Sequence, residues 1–269
     1  MRLIASDIDG TILGHDGTIS QRTIDAFAAA ADAGVEIVFV TGRPPRWLDP
    51  IRERIGHTGT VICSNGAAIY SLESESVLSS HALSWDTVKT VKHRIENLAP
   101  DSRFALESLT GFHVEAGFLT ANSIRGAQEY VPADLTPEMA DGGIVKMLAV
   151  LPTGNADEFL HLVEPAIGQL IAVTHSAPEL ALLEMGPLGV NKAVTLAEYA
   201  ATKGIGAADV VAFGDMPNDI EMLAWAGAGY AMASGHPAAL AAARLTAPRF
   251  EDDGVAQIIE ARLASLHLA

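Results

Sequence analysis

Two carboxylates stand two positions apart in Asp7-Ile8-Asp9-Gly10-Thr11, directly after the apolar run Leu3-Ile4-Ala5. If the backbone stays extended there, a side-chain period of two turns both carboxylates toward one side. Like charges that close need a neutralising cation or a shift in pKa, so a metal site is the first chemistry the spacing suggests. Taken alone, the same tripeptide also reads as a solvated acidic turn. Three further segments bear on that choice: Thr41-Gly42-Arg43 after an apolar stretch, Lys192 at a helix start, and Gly214-Asp215-Met216-Pro217-Asn218-Asp219 after Val210-Val211-Ala212-Phe213.

The elements that must position these residues alternate cleanly near both chain ends. Arg2–Ser6 reads as a strand and Ser20–Ala33 as a helix with Ser20 as N-cap and Gly34 as its stop. Val35–Val40 reads as a second strand, apolar but for Glu36. Strand, helix, strand at this spacing is a βαβ unit with a parallel sheet and a right-handed crossover. Asp7 and Thr41 then emerge at the same sheet edge, where open α/β sheets bind ligands. The alternation resumes with a helix from about Asn191 to Thr202, a strand at Asp209–Phe213, a helix near Asn218–Trp225, a short strand around Tyr230 and a closing helix from about Gly254 to Leu268. Between them the rhythm changes. A helix near Trp85–Asn97 precedes β-like runs at Arg103–Leu106 and Phe112–Glu115, and a helix at Asn155–Ile167 precedes runs at Leu170–His175 and Leu180–Glu184. This α-β-β pattern, given twice, reads as an inserted α+β domain with a largely antiparallel sheet over residues 82–186, between core segments 1–81 and 187–269.

Composition narrows the partners. The 269 residues are 49% hydrophobic, ample for a core, and carry a formal net charge of −16. Such acidity repels phosphate backbones and anionic lipid surfaces, so neither nucleic acid nor membrane is expected as a partner, and an anionic substrate would need local cations. The single cysteine, Cys63, lies in the apolar run Thr60-Val61-Ile62-Cys63 and reads as packing in a reducing compartment. Met1–Ile4 leads straight to Asp7 without a leader pattern, and no apolar run approaches the ~20 residues of a membrane span. The expectation is a cytoplasmic protein, monomeric or a small homo-oligomer.

The four segments, in this order and separation, resemble the haloacid dehalogenase (HAD) superfamily of phosphohydrolases, and the long insert resembles its Cof-type branch with an α/β cap (type IIB). The resemblance spans essentially the whole chain and implies a Rossmann-like parallel-sheet core with an inserted α+β cap domain. Phosphoryl transfer builds charge on three equatorial oxygens, so an acidic protein must supply cations locally; Mg²⁺ and Lys192 would do so. A hard, oxygen-seeking Mg²⁺ suits Asp7, the backbone carbonyl of Asp9 and Asp215, with Asp219 reaching it less directly through water. By the resemblance, Asp7 is the nucleophile that forms an aspartyl-phosphate, Asp9 the acid and then the base, and Thr41 the hydroxyl on a phosphoryl oxygen. The family commonly has a glycine after the lysine, where this chain has Ala193.

Substrate handling is less sharply written. Ser64-Asn65-Gly66-Ala67 resembles the Asn-Gly loop that lines the Cof-type pocket, while Asn-Gly by itself also marks a plain hairpin. Gly42, Arg43, Asn65, Gly66 and Asn218 are the candidate substrate-binding positions, and Asn218 can also cap the following helix. Arg46 and Trp47 serve equally well as ordinary packing. Gly227-Ala228-Gly229 lacks the third glycine and the early placement of a dinucleotide fingerprint. His81, His113 and His175 form no close-set zinc cluster. The expected function is a Mg²⁺-dependent phosphatase acting on a small phosphorylated metabolite, a sugar phosphate first among them. The alternatives are a phosphomutase sharing the aspartyl-phosphate step, or a non-catalytic phosphometabolite sensor, against which Asp9 argues.

Overall fold

The computed structural model describes residues 1–14, 16–55, 59–118, 130–176 and 180–266, without the side chains of Asp49, Pro50 and Leu266. The chain divides into two units, one of residues 1–79 with 191–269 and one of residues 80–190. The first half of unit 1 runs β1 (Leu3–Ser6), α1 (Gln21–Asp32), β2 (Glu36–Val40), α2 (Asp49–Ile55), β3 (Thr60–Cys63), β4 (Ala68–Ser71) and β5 (Ser76–Ser80). The Ser20 hydroxyl caps α1 by accepting from the Thr23 amide at 3.1 Å, in the N-cap role expected of it. β1 is buried along its whole length, so helices must cover both faces of the sheet it belongs to.

Unit 2 contains α3 (Trp85–Leu98), β6 (Arg103–Ser108), β7 (Phe112–Val114), β8 (Ile144–Val150), α4 (Ala156–Ile167), β9 (Ala172–Thr174) and β10 (Leu182–Gly186). Its sheet has the order β7-β6-β8-β10-β9, every neighbouring pair antiparallel. The expectation of two α-β-β repeats omitted β8, which turns out to be the central strand. Its run Ile-Val-Lys-Met-Leu-Ala-Val lacks the period-two alternation of a half-buried strand, because both faces are covered around it. One face, with Phe104, Met147, Ala149 and Leu183, packs against Val88 and Val91 of α3 and Phe159 and Val163 of α4. The other gathers Ala105, Phe112, Val114 and Phe118 with Leu148 and Leu182.

The chain completes unit 1 with α5 (Lys192–Thr202), β11 (Val210–Gly214), α6 (Ile220–Trp225), β12 (Ala228–Met232), α7 (Pro237–Ala242), β13 (Leu245–Ala247) and α8 (Gly254–Leu266). The last two residues expected in the closing helix lie outside the described residues. Among those described, the strand order is β13-β12-β11-β1-β2-β3-β4-β5, parallel from β13 to β3 and antiparallel between β3 and β4. Ile4, Phe39 and Val211 point to the side of α1 and α8, packing with Phe27 and Ile259. Leu3, Ala5 and Val210 point to the side of α5 and α6, packing with Leu196 and Met222. β4, β5, α7 and β13 were not foreseen: the short Gly/Ala-rich and Ser-rich tracts that form them carry no clear period. The units change at 79/80 and 190/191, against 81/82 and 186/187 from the sequence. Among the described residues no helix is long and apolar enough to cross a membrane.

Candidate active site

β1 lies between β2 and β11, with Ser6 in register with Phe39 and Phe213. That pairing brings the loops after three strands together at one edge. The Asp7 amide donates to Phe213 O at 2.9 Å, which ties the first acidic loop to the strand preceding Asp215. Thr41 follows β2, its amide donating to Ile62 O at 2.8 Å, while Asn65 N donates to Thr41 O at 3.1 Å, so the loop after β3 joins the same edge.

At the centre is Lys192, the first residue of α5, whose preceding Asn191 caps the helix by accepting from Val194 N at 2.9 Å. Its side chain is fully buried, against the usual habit of a helix-start lysine. The ammonium donates to Asp7 Oδ1 and to Asp219 Oδ1, each at 2.6 Å. Asp219 Oδ2 accepts from the Asp215 and Met216 amides, both at 3.0 Å, so its carboxylate staples the turn after β11. Asp215 Oδ1 accepts from the Thr11 hydroxyl at 3.0 Å. Gly10 makes that approach possible: at φ +82°, a Cβ there would stand 2.3 Å from Asp215 Oδ2.

Asp7, Asp215 and Asp219 each turn a carboxylate oxygen to within 4.8 Å of the others, all three residues buried. Burial raises the Asp7 carboxyl well above its usual range, and Asp219, Asp215 and Asp9 raise it further, with Lys192 pulling the other way. Burial, with Asp219, also lifts Asp215 to about 7, which the Thr11 hydrogen bond partly opposes. For Lys192, burial alone would favour the neutral amine, and the two carboxylates outweigh it and hold the ammonium. Three carboxylates around one ammonium leave excess negative charge in a buried place. An oxygen-seeking divalent cation such as Mg²⁺ fits that donor set.

The Asp9 carboxylate stands apart from this trio. It takes a two-pronged bond from Arg43, Nε to Oδ2 at 2.7 Å and Nη2 to Oδ1 at 2.5 Å. Arg43 N donates to Thr41 Oγ1 at 3.0 Å, and half-buried Gly42 lies between them in the same loop. Asn218 Nδ2 donates to Asn65 Oδ1 at 3.0 Å, joining the loops after β3 and β11. Asn65, at φ 56°, sits in a one-turn 3₁₀ segment between β3 and β4, so the Asn-Gly pair serves as a hairpin connection and meets a site residue as well. Gly66 is pressed on the helix carrying Lys192: at φ +106°, a Cβ there would lie 2.4 Å from Asn191 O. Arg46 stacks its guanidinium 4.6 Å from the Trp47 ring centroid. Of the histidines considered, His175 pairs with Asp157 at 3.0 Å within unit 2. Neither Thr11 nor Ser64 was given a role from the sequence; the buried Ser64 Oγ has no hydrogen-bond partner among the described residues. Only Thr11's place beside the acidic pair pointed to it.

The profile of the haloacid dehalogenase-like hydrolases matches residues 4–259 of this arrangement. The chain belongs to that family. As with the relatives this hydrolase matches, its class is phosphatase. It is 27% identical over 272 residues to 5-amino-6-(5-phospho-D-ribitylamino)uracil phosphatase YitU of Bacillus subtilis (strain 168), covering 96% of each chain. Among solved structures, it resembles BT1666 of Bacteroides thetaiotaomicron, a HAD-superfamily phosphatase, at 25% identity and TM-score 0.81 over 97% of this chain and 94% of that one. The HAD subclass IIB sugar phosphatase BT4131 shares its fold at 22% identity and TM-score 0.81, over 97% and 98% of the two chains.

Proposed function

We propose that this hydrolase is a Mg²⁺-dependent phosphatase of a small phosphorylated metabolite, a sugar phosphate first among them, working through an aspartyl-phosphate on Asp7. The observation that carries the reading is the Asp7 carboxylate itself. It is buried, held by Lys192, grouped with Asp215 and Asp219, and two residues from a second carboxylate outside that group. Mg²⁺ held by Asp7, Asp215 and Asp219, with the Asp9 carbonyl, would supply charge stabilisation to the phosphoryl oxygens.

In the first step an Asp7 oxygen attacks phosphorus, the bond from phosphorus to the departing alcohol oxygen breaks, and Asp9 gives its proton to that oxygen. In the second step Asp9, now a carboxylate, takes a proton from water as the water oxygen attacks phosphorus. The bond from Asp7 to phosphorus breaks, releasing inorganic phosphate and restoring both side chains. Lys192 steadies the charge on the attacking carboxylate and the phosphoryl oxygens. Thr41, Gly42, Asn65, Gly66 and Asn218, in the loops around the cluster, are the positions we propose for receiving the substrate, while Arg43 turns its guanidinium to Asp9. The YitU substrate named above, a phosphorylated ribityl compound, and the sugar phosphatase likeness support a polyol or sugar phosphate. The single cysteine and strong acidity accord with a reducing cytoplasm and with no nucleic-acid partner.

Phosphate release from sugar phosphates, nucleotides and phosphorylated cofactors, with Mg²⁺ or with a chelator, tests this in wild type and Asp7→Asn. Metal-dependent release that Asp7→Asn abolishes is the expected result. Isomerised sugar without free phosphate would point to a mutase, and no turnover of any compound would overturn the reading.

A further inference from the structure

The two-pronged bond between Arg43 and Asp9 joins residues 34 positions apart and uses both oxygens of the carboxylate. The Asp9 side chain is 53% exposed, the Arg43 side chain 23%. A half-exposed aspartate would otherwise turn among several rotamers, whereas a planar guanidinium fixes both the position and the plane of the carboxylate it grips. Arg43 is itself anchored. Its amide donates to the Thr41 hydroxyl at 3.0 Å, and its carbonyl accepts from Ser64 N at 3.0 Å, so its backbone is tied to the loops after β2 and β3. The grip on Asp9 is thereby referred to the same rigid strand ends that hold Asp7.

We infer that Arg43 is a positioning residue for Asp9, holding the carboxyl plane so that the proton goes to the departing oxygen. The inference rests on the reading above that Asp9 is the proton donor. A lysine, with a single point of charge, cannot fix a plane in this way.

The nature of the departing group separates this role from the others open to a cation beside a phosphatase site. A sugar phosphate expels a basic alkoxide that needs the proton; p-nitrophenyl phosphate expels a stable phenolate that does not. The experiment measures release of the departing alcohol in single turnovers, with enzyme in excess, for wild type, Arg43→Gln, Arg43→Lys and Asp9→Asn, on p-nitrophenyl phosphate and on the sugar phosphate the wild type turns over best. This reads the first step alone, because the later attack of water needs Asp9 whichever group has departed. For Arg43→Gln we expect the limiting rate of release from the sugar phosphate to fall about 10²-fold, the lower end of what a positioned general acid contributes. We expect the limiting rate of p-nitrophenolate release to fall less than about 3-fold, and Asp9→Asn to show the same bias toward the sugar phosphate. Arg43→Lys should lose rate on the sugar phosphate in the same selective way and serves as the readout if Arg43→Gln does not fold. A rise in the half-saturating concentration for both substrates with the limiting rate kept would make Arg43 a phosphate-binding cation and overturn the inference. An equal loss of limiting rate on both would make it merely structural and overturn it as well. Absence of wild-type turnover on either substrate would instead sink the phosphatase reading, and this inference with it.

Discussion

The Lys192 ammonium donates to Asp7 Oδ1 over 2.6 Å although 185 positions separate the two residues. The pair is buried, and the same ammonium also serves Asp219, so one buried cation bridges the start and the end of the core. Enclosure decides its energetics: removing one partner of a buried ion pair leaves charge that nothing compensates.

Lys192→Met should therefore lower the unfolding free energy of the metal-free protein by about 3–5 kcal/mol and abolish phosphate release. Urea unfolding followed by circular dichroism measures the first effect. An unchanged midpoint would show that Asp7 and Asp219 relieve their charge by taking up protons instead.

The raised Asp215 carboxyl makes a pH-dependent expectation. Its folded value is about 7 against an ordinary 3.8, so the folded state holds a proton that the unfolded chain has released. Stability from this group is fully present below about pH 4 and is lost as pH rises through about 7. Asp7, also raised, adds in the same direction. Metal-free protein should show a Tm that falls across this window more steeply than that of Asp215→Asn. The Tm gain from Mg²⁺ should be larger at pH 8 than at pH 5, because a bound cation needs its carboxylates ionised. Differential scanning fluorimetry with and without the metal checks both, and parallel wild-type and Asp215→Asn curves would contradict the first.

Gly66→Ala tests how the loop after β3 sets the start of α5. The new methyl would fall 2.4 Å from Asn191 O, on a backbone at φ +106°. Strain of this kind costs about 1–3 kcal/mol. Displacement of the helix start that carries Lys192 should reduce turnover by about 10²-fold. Wild-type kinetics in this variant would show that the helix start gives way without disturbing the lysine.

In unit 2, buried Lys146 bonds Glu184, and Glu107 faces Lys146 in register on the neighbouring strand. Lys146→Met should destabilise the protein by about 3–5 kcal/mol. Arg22→Ala, which breaks the exposed Arg22–Glu260 pair, should leave the unfolding midpoint nearly where it was. Similar losses from the two substitutions, measured side by side by chemical unfolding, would refute the assignment of the difference to burial.

Local pattern alone located Asp7, Thr41, Lys192 and Asp215 at the ends of strands or the start of a helix. Strand length, a Ser or Asn cap and an apolar run ending in Gly or Asp are written within a few residues of each position. The same locality explains the misses. β8 is an apolar run with one lysine, and only the neighbours that cover it make it a central strand.

What tertiary structure decided is which loops meet. The hold of Lys192 on two aspartates, the grip of Arg43 on Asp9, the bond from Thr11 to Asp215 across 204 positions and the bond between Asn65 and Asn218 all follow from β1 inserting between β2 and β11. The β1–β2 pairing could be read from the local βαβ spacing, but the pairing of β1 with β11 joins the two ends of the chain through burial of both sheet faces, and no short stretch of sequence carries it. The types of residue able to do chemistry were therefore legible in order along the chain. Their partners, protonation and burial came into being only when strands distant in sequence closed side by side and shut water out.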